Sequence, residues 1–394
     1  MTPSCLTRDA NPSSESLNLG FEFLNASLSA KLIVEAPLVK IFRSIERAAV
    51  ECLMVRFMLP QHLTFLSSVF LMNDNRVFEP LRTQAIYFSS TSNGNDSMFV
   101  DAGALSHTLS FFVSQNLPSN SASSVTIDFD DNMTSAEQRY LHARSNGILG
   151  AVMGIRVNVY YTWPLSEIIT SPQLQQYNDI LRILMQITSA RWAADGVWKL
   201  AMDPSTACVL MTKSRNSSLC VSYRHCLVGL KWFLYLLAGL LRYYLHNIHE
   251  KIWPRFMGKI SMCHSIGQLS RCHENLLLEL IAICDTSQKQ MITLVHLGHR
   301  ATCAFHRALN LFQSPHIVGM DEVALGIATA NQVPLIDSFL SRAESAFAAL
   351  RVSAANFAAA LDTTYSSKAA IGNSFTDPSL EELQCIFTDL TNWT

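Results

Sequence analysis

The residues best suited to chemistry are four metal-ligating side chains on one predicted helix. His296, His299, Cys303 and His306 follow one another at helical spacing and share one stripe. Imidazole nitrogens and thiolate sulfurs are ligands that zinc prefers, at about 2 Å from the ion. His296 and His306 nevertheless lie about 15 Å apart at 1.5 Å per residue, so one ion cannot bind both. A pair such as His296 and His299 needs a ligand from another segment, and the pattern favours ordinary histidines on a helix face.

Two further groups of histidines and cysteines resemble metal sites without having the required spacing. His246 and His249 precede Glu250, whereas a zinc protease helix needs the order H-E-x-x-H. The pairs Cys263-His264 and Cys272-His273 lack the two-residue cysteine spacing of a zinc finger. We therefore predict no metal site.

Acidic and phosphate-binding motifs give no catalytic site either. Asp128, Asp130 and Asp131 cluster in the run DFDDN, which lacks the glycine and the terminal glutamate of a calcium loop. The sequence contains no G-x-x-x-x-G-K-S/T, G-x-G-x-x-G or G-x-S-x-G. We predict that the chain is not an enzyme and binds no cofactor.

The elements that position these residues are predicted to be helices. Of the 394 residues, 49% are hydrophobic and only 15% are charged, which indicates large buried faces. Helical periodicity is found in Pro37–Phe57, from Pro60, and in Phe78–Tyr87, Ala104–Val113, Leu219–Met257, Gln268–Cys284, Gln288–Phe312, Asp321–Ala330 and Pro334–Leu361. A short helix is also expected around Leu380–Phe387.

One segment, Val157–Trp198, combines a strand with the start of a helix. Alternating apolar residues predict a strand from Val157 to Tyr161, which Pro164 must end. Ser171, followed by a proline, is predicted to cap a helix whose core stripe is Tyr177, Leu181, Leu184 and Ile187.

A second alternating run, Val125–Phe129, can pair with the strand beginning at Val157. The predicted fold is all-α, an elongated helical bundle with a small two-stranded β ribbon.

The segment Leu227–Leu245 is nearly as apolar as a membrane span. Lys231 lies inside it and Arg242 near its end, and the uncharged run between them has ten residues. A span needs about 20 mostly apolar residues, so we predict a buried core helix and no membrane insertion. A helical membrane-associated protein anchored through Leu227–Leu245 is the alternative.

Composition sets the remaining expectations. The net charge of −2 gives no electrostatic argument for nucleic acid. The ten cysteines include no C-x-x-C and are expected to be reduced thiols in a cytosolic protein. We predict a poorly ordered leader over residues 1–36, a helical domain over 37–362 and a polar tail over 363–394.

Several short stretches, taken in their order along the chain, resemble the gamma-tubulin complex components. They are the helix-loop pattern Leu59–Glu79; Trp163-Pro164-Leu165 followed by Ile168-Ile169-Thr170 and Tyr177-Asn178; Tyr244 with Trp253; and Cys272–Leu277, in which His273 and Leu277 match the family's A-H-x-x-y-L element. The resemblance covers the C-terminal, gamma-tubulin-binding half of such a component, of a divergent fifth or sixth type. The family's N-terminal half is not recognisable, as expected for a fragment, an incomplete gene model or a strongly reduced member.

The resemblance implies a non-enzymatic scaffold that binds gamma-tubulin and other complex components. It implies a cytoplasmic and cytoskeletal location at a microtubule organising centre, the centrosome or spindle pole, where it supports microtubule nucleation in mitosis. The family has no catalytic residues to transfer to this chain.

Exposed polar positions of the later helices, among them Arg255, Lys259 and Arg271, are the expected contacts with the partner. Cations such as Lys251, Arg255 and Lys259 near a helix C-terminus also favour the helix dipole, which alone explains their position.

Overall fold

The computed structural model shows packed helices and one short ribbon of two strands. The structure describes residues 35–82, 102–116, 124–129, 149, 152, 154–203, 217–285, 288–312, 322–370 and 384–388. The helices are α1 Ala36–Glu51, α2 Leu59–Phe70, α3 Ala102–Asn116, α4 Ser171–Ala201, α5 Ser217–His246, α6 Trp253–Ser261, α7 Ile266–Asp285, α8 Gln288–Phe312 and α9 Glu322–Ala370. The strands are β1 Ser124–Phe129 and β2 Ile155–Tyr160. The fold class predicted from the sequence is confirmed.

The two strands pair antiparallel, as the alternating apolar residues predict. Val125 lies opposite Val159, and Ile127 lies opposite Val157. Val157 and Val159 are buried, and β2 contacts α4. An isolated two-stranded ribbon is only marginally stable in water, so packing of β1 on α3 and of β2 on α4 stabilises this one.

The longest apolar segment forms a helical path that runs from Ser217 to Ser261. Its α-helical parts, α5 and α6, are joined by a π-helical turn, Asn247–Ile252, which ends two residues before Pro254. A proline inside a helix lacks the N–H donor and clashes with the carbonyl four residues earlier. The wider turn removes that clash, so the path continues past the predicted end at Met257.

α5 lies at the centre of the fold, between α4, α8 and α9. Its buried face includes Leu230, Phe233, Leu236, Leu237, Leu240 and Tyr244. Among the described helices, Ser218–Ser261 is long and apolar enough to cross a membrane, and 56% of its most apolar window is buried inside the protein. Length and composition alone are weak evidence for a span, and this burial is what we expect of a core helix.

One helix, α9, replaces two that the sequence analysis separated. We predicted a break between Ala330 and Pro334, but α9 continues through Pro334. A proline in a helix interior costs about 3 kcal/mol. One face of the turns that follow is buried, with Ile336 and Leu340 on it, and α9 packs along α8. This burial holds the helix together across the proline.

Two local predictions differ from the structure. α4 is capped by Thr170 rather than Ser171, because Thr170 forms a capping box with Gln173 and places Pro172 one residue further in. The predicted helix Phe78–Tyr87 has a 3₁₀ turn at Asn75–Phe78 and is helical from 79 to 82, where this described range ends.

α1 is a helix as predicted, but its apolar stripe lies in solvent. Ile41 and Ile45 are 57% and 61% exposed, and Val55, in the π-helical turn Cys52–Arg56 that follows α1, is 70% exposed. The helical spacing of apolar residues does not show whether another element packs on them. Among the described elements, none covers this stripe.

Several predictions lie outside the described residues. They are the leader up to residue 34, the loop at 89–97, most of the loop at 116–124, most of the polar break at 203–218 and the tail beyond 370 except 384–388. In that last segment, Phe387 is buried and its ring meets that of Phe357 at 4.8 Å between centroids.

Candidate functional site

The residues singled out in Val157–Trp198 and Cys272–Leu277 meet in the interior of the fold. After β2 the chain passes through a cis Trp163–Pro164 bond and a 3₁₀ turn, Leu165–Glu167, before α4 begins. Leu165, Ile168 and Ile169 are buried, as their helical spacing predicts. Trp163 itself is 76% exposed. The apolar side chains anchor this connection on the helices beneath it.

His273 joins the connection to two helices. Its Nδ1 lies 3.0 Å from the carbonyl oxygen of Ile168, and its Nε2 lies 3.0 Å from the hydroxyl of Tyr177. Because a carbonyl only accepts, Nδ1 carries the proton and Nε2 accepts from the tyrosine. Burial lowers the pKa of His273, so the ring is neutral at pH 7. The imidazole therefore links α7, α4 and the turn after β2.

Asn178 fixes β2 to α4 in the same region. Its Oδ1 accepts from the backbone N–H of Val157 at 2.9 Å, and its Nδ2 donates to the carbonyl of Val157 at 3.0 Å and to that of Leu174 at 3.0 Å. The amide thus takes the place of a strand partner, which β2 does not have on this side among the described residues. We name Ile168, Tyr177, Asn178 and His273 the joint.

The joint holds the connection after β2, α4 and α7 in position. Its polar atoms bond to one another and to backbone groups. Tyr177 and His273 are fully buried, so no substrate reaches them. The sequence identified Tyr177 and His273 but did not show that Asn178 pairs with a strand, because a buried amide has no characteristic spacing.

An open groove of about 320 Å³ lies beside the joint, between β2 and the start of α4. Arg156, Asn158, Tyr160, Ser166 and Gln175 are among its lining residues. Among the described residues that line the groove, Arg156 alone carries a formal charge.

The candidate metal ligands on α8 are spread along the helix. His299 and His306 are buried, and Cys303 Sγ lies 3.4 Å from His299 Nε2. His306 Nδ1 lies 3.4 Å from the side-chain nitrogen of Asn310. In the described part of the chain, no three histidine, cysteine or acidic side chains come together as a metal set.

The other candidates take structural positions. His249 Nε2 donates to the carbonyl of Leu71 at 2.9 Å, which ties the π-helical turn to the end of α2. His246 faces Glu250 at 3.9 Å on the surface. Asp128 accepts from Asn158 across the ribbon at 2.6 Å, and Asp130 and Asp131 lie outside the described residues.

His62 is a buried histidine that the sequence analysis missed. Its ring meets that of Tyr161 edge-on at 5.4 Å, and neither ring nitrogen has a hydrogen-bond partner within the described residues. Burial lowers the pKa of His62 from 6.5 to about 4, so the folded protein holds this ring neutral. A buried ring of this kind gives no signal in an amino-acid pattern.

We expect the fold to lose stability in mild acid because of His62. Below pH 6.5 the unfolded chain protonates this histidine and the folded chain does not, so unfolding becomes more favourable until the pH falls to about 4. The contribution of His62 reaches about 2 kcal/mol by pH 5. Urea unfolding from pH 8 to pH 5, compared between the native chain and His62→Phe, measures it.

Burial also lowers the pKa values of His249 and His273, so the variant keeps part of the pH dependence. Identical pH profiles for the native chain and His62→Phe would show that His62 does not titrate in this window.

The predicted contact residues lie on a helical hairpin formed by α6 and α7. Arg255 lies 3.3 Å and Lys259 4.0 Å from the carboxylate of Glu279, which links the two helices. Arg271 is exposed on α7. We name Arg255, Lys259 and Arg271 the basic face of the hairpin.

Apolar side chains lie exposed on the same hairpin. Met262 is 75%, Leu278 63% and Ile266 39% exposed. Arginines and exposed apolar side chains on one element are typical of protein interfaces, where a few such residues supply most of the binding energy.

Comparison with known proteins adds one match. A family model described as the C-terminal part of the gamma tubulin complex component matches residues 59–385, well over half of the chain. The matched range contains the joint and the α6–α7 hairpin. No curated protein matches the chain significantly.

Proposed function

Because this chain belongs to the family of gamma tubulin complex components, we propose that it binds gamma-tubulin directly and holds it where microtubules are nucleated. The family is a structural one of the cytoskeleton, whose role lies in the gamma-tubulin complex. The observation that carries the proposal is the family match over residues 59–385. The joint supports it, because the residues that resemble the family form a buried link between helices and not a reaction centre.

We place the gamma-tubulin contact on the basic face of the α6–α7 hairpin. Arg255 and Lys259 share Glu279 as an intramolecular partner, so their side chains are held in position before binding. An exposed ion pair contributes only about 0–1 kcal/mol to folding, so these charges can be changed without unfolding the chain. Met262 and Ile266 supply apolar surface beside them.

Reversing the three charges is expected to weaken binding. The triple variant Arg255→Glu, Lys259→Glu and Arg271→Glu should bind gamma-tubulin about tenfold more weakly or worse, because like charges across an interface cost several kcal/mol. Biolayer interferometry with purified gamma-tubulin and the full chain measures the dissociation constant.

The matched control reverses Lys199, Arg224 and Lys231, three exposed cations elsewhere on the protein. Arg224 is roughly 45 Å from Arg255 along the same helical path. The control should bind as the native chain does. If both triple variants weaken gamma-tubulin binding equally, the contact does not lie on the hairpin. If the native chain does not bind gamma-tubulin, the proposed function is wrong.

We further propose that the chain associates with other components of the complex and is found in the cytoplasm, at a centrosome or spindle pole. Residues 37–362 would form the binding domain, with 1–36 as leader and 363–394 as tail. Co-localisation of a fluorescently tagged chain with gamma-tubulin in dividing cells tests this placement, and a diffuse signal that ignores spindle poles would contradict it.

The alternative of a membrane-associated protein rests on the apolar composition of Ser218–Ser261. Carbonate extraction separates the two functions, because an integral protein stays in the membrane pellet. We expect the chain in the supernatant, since Phe233, Leu237 and Leu240 of that helix are covered by protein.

A further inference from the structure

Two cysteines come together at the turn of the α6–α7 hairpin. Cys263 lies in the turn between Ser261 and Ile266, and Cys272 lies on α7. Their sulfur atoms are 3.6 Å apart. A disulfide bond is about 2.0 Å long, so a movement of less than 2 Å in the two side chains would join them.

We propose that Cys263 and Cys272 form a redox pair, which exists as two thiols and is converted by hydrogen peroxide into an intramolecular disulfide. The pair stands on the geometry of the turn and does not depend on gamma-tubulin binding. In a reducing compartment such disulfides are transient and report on the oxidant.

Cys272 lies where a small oxidant can reach it, whereas Cys263 is buried between exposed neighbours. Cys272 is partly exposed. Cys263 is 9% exposed, but its neighbours Met262 and His264 are both exposed, and Met262 is 75% exposed. The thiol of Cys263 donates to the carbonyl of Lys259 at 3.3 Å, which holds its sulfur on the side facing Cys272.

The two cysteines have different parts in the reaction. Burial, together with the hydrogen bond to Cys272, raises the pKa of the Cys263 thiol to about 11. Cys272 is the more exposed of the two, so its sulfur is the one that attacks the peroxide, and Cys263 is the residue that resolves the product.

The reaction balances in two steps. Hydrogen peroxide transfers one oxygen to the Cys272 sulfur, which gives a sulfenic acid and one water. The Cys263 sulfur then attacks the Cys272 sulfur, the S–S bond forms as the S–O bond breaks, and the hydroxyl leaves as a second water with the thiol proton. A dithiol reductant reverses the bond by exchange.

The bond would close a short loop on the basic hairpin. Lys259 comes four residues before Cys263, while Arg271 and His273 flank Cys272. Oxidation would therefore fix the turn between the two helices beside the joint, without requiring a change elsewhere.

Peptide mapping of the full chain tests the pair directly. Trypsin cuts after Lys259, Arg271 and Lys289, so the two cysteines fall in separate peptides, 260–271 and 272–289. After brief peroxide treatment and alkylation of the remaining thiols, we expect these two peptides to appear linked. Dithiothreitol should release them, and the number of titratable thiols should fall by two on oxidation.

Matched variants make the result specific. Cys263→Ser and Cys272→Ser should each abolish the linked peptides, and fragment ions must place the bond on Cys272 and not on Cys284. Cys52→Ser is the control, because Cys52 is a free, partly exposed cysteine outside the hairpin, and it should leave the linkage unchanged. The proposed disulfide is wrong if peroxide oxidises cysteines without linking the two peptides. It is also wrong if the two peptides are still linked in Cys263→Ser. Circular dichroism confirms that each variant is folded.

Discussion

Replacing Gly298 by alanine is expected to destabilise the fold by about 3 kcal/mol, because the added methyl would overlap the edge of the Phe233 ring. Gly298 lies on α8 and Phe233 at the middle of α5. The ring is fully buried, so it has little room to move. The glycine is what lets α8 approach α5 closely enough to enclose the aromatic side chain. Urea unfolding followed by circular dichroism measures the loss.

Two other helical glycines supply the control. At Gly258 on α6 and Gly267 on α7, no atom lies within 4 Å of the added methyl. Alanine there should stabilise the protein by about 0.5–1 kcal/mol, because it favours the helical backbone. If only Gly298→Ala destabilises the protein, the loss comes from the contact with Phe233 and not from a general effect of alanine on helix stability.

A second-site change tests the same contact. Phe233→Leu shortens the side chain, so the double variant with Gly298→Ala should lose less stability than the two single variants added together. If Gly298→Ala were as stable as Gly258→Ala, the close approach of α5 and α8 would be wrong.

The helical part of the fold could be predicted because each element has its own periodic signal. Gln288–Phe312 was predicted with the bounds that α8 has, and the ribbon was predicted with its partner. The predicted ends of helices were wrong where tertiary packing outweighs a local sequence signal. Pro334 signals a helix end, yet burial of Ile336 and Leu340 holds α9 together across it.

Contacts between distant residues could not be predicted from one sequence. His273 and Tyr177 are 96 positions apart, and no spacing rule relates them. The exposed stripe of α1 shows the same limit, because periodicity identifies an apolar face and not its neighbour. The assignment of Arg255, Lys259 and Arg271 to a partner stays a prediction, since the structure shows where they lie and not what they bind.

Replacing His273 by alanine is expected to cost about 4 kcal/mol or more of folding free energy, which is a large part of the 5–15 kcal/mol typical of a domain. The imidazole is fully buried, so its removal leaves a cavity beside Tyr177 and Phe256. It also leaves the tyrosine hydroxyl and the carbonyl of Ile168 without their partner, and each such buried group costs about 1–3 kcal/mol. Thermal and urea unfolding measure the loss.

A double-mutant cycle separates the hydrogen bond from the packing. Tyr177→Phe removes one hydroxyl and should cost about 1–2 kcal/mol, because Nε2 of His273 then has no donor. Once His273 is alanine, the same hydroxyl has no acceptor, so removing it should cost almost nothing. His264→Ala, an exposed histidine before α7, is the control and should change stability by less than about 0.5 kcal/mol. Additive losses from Tyr177→Phe and His273→Ala would mean that the two side chains act independently. The hydrogen bond between Tyr177 and His273 would then contribute nothing to the joint, and it would not explain why these residues are among those that resemble the family.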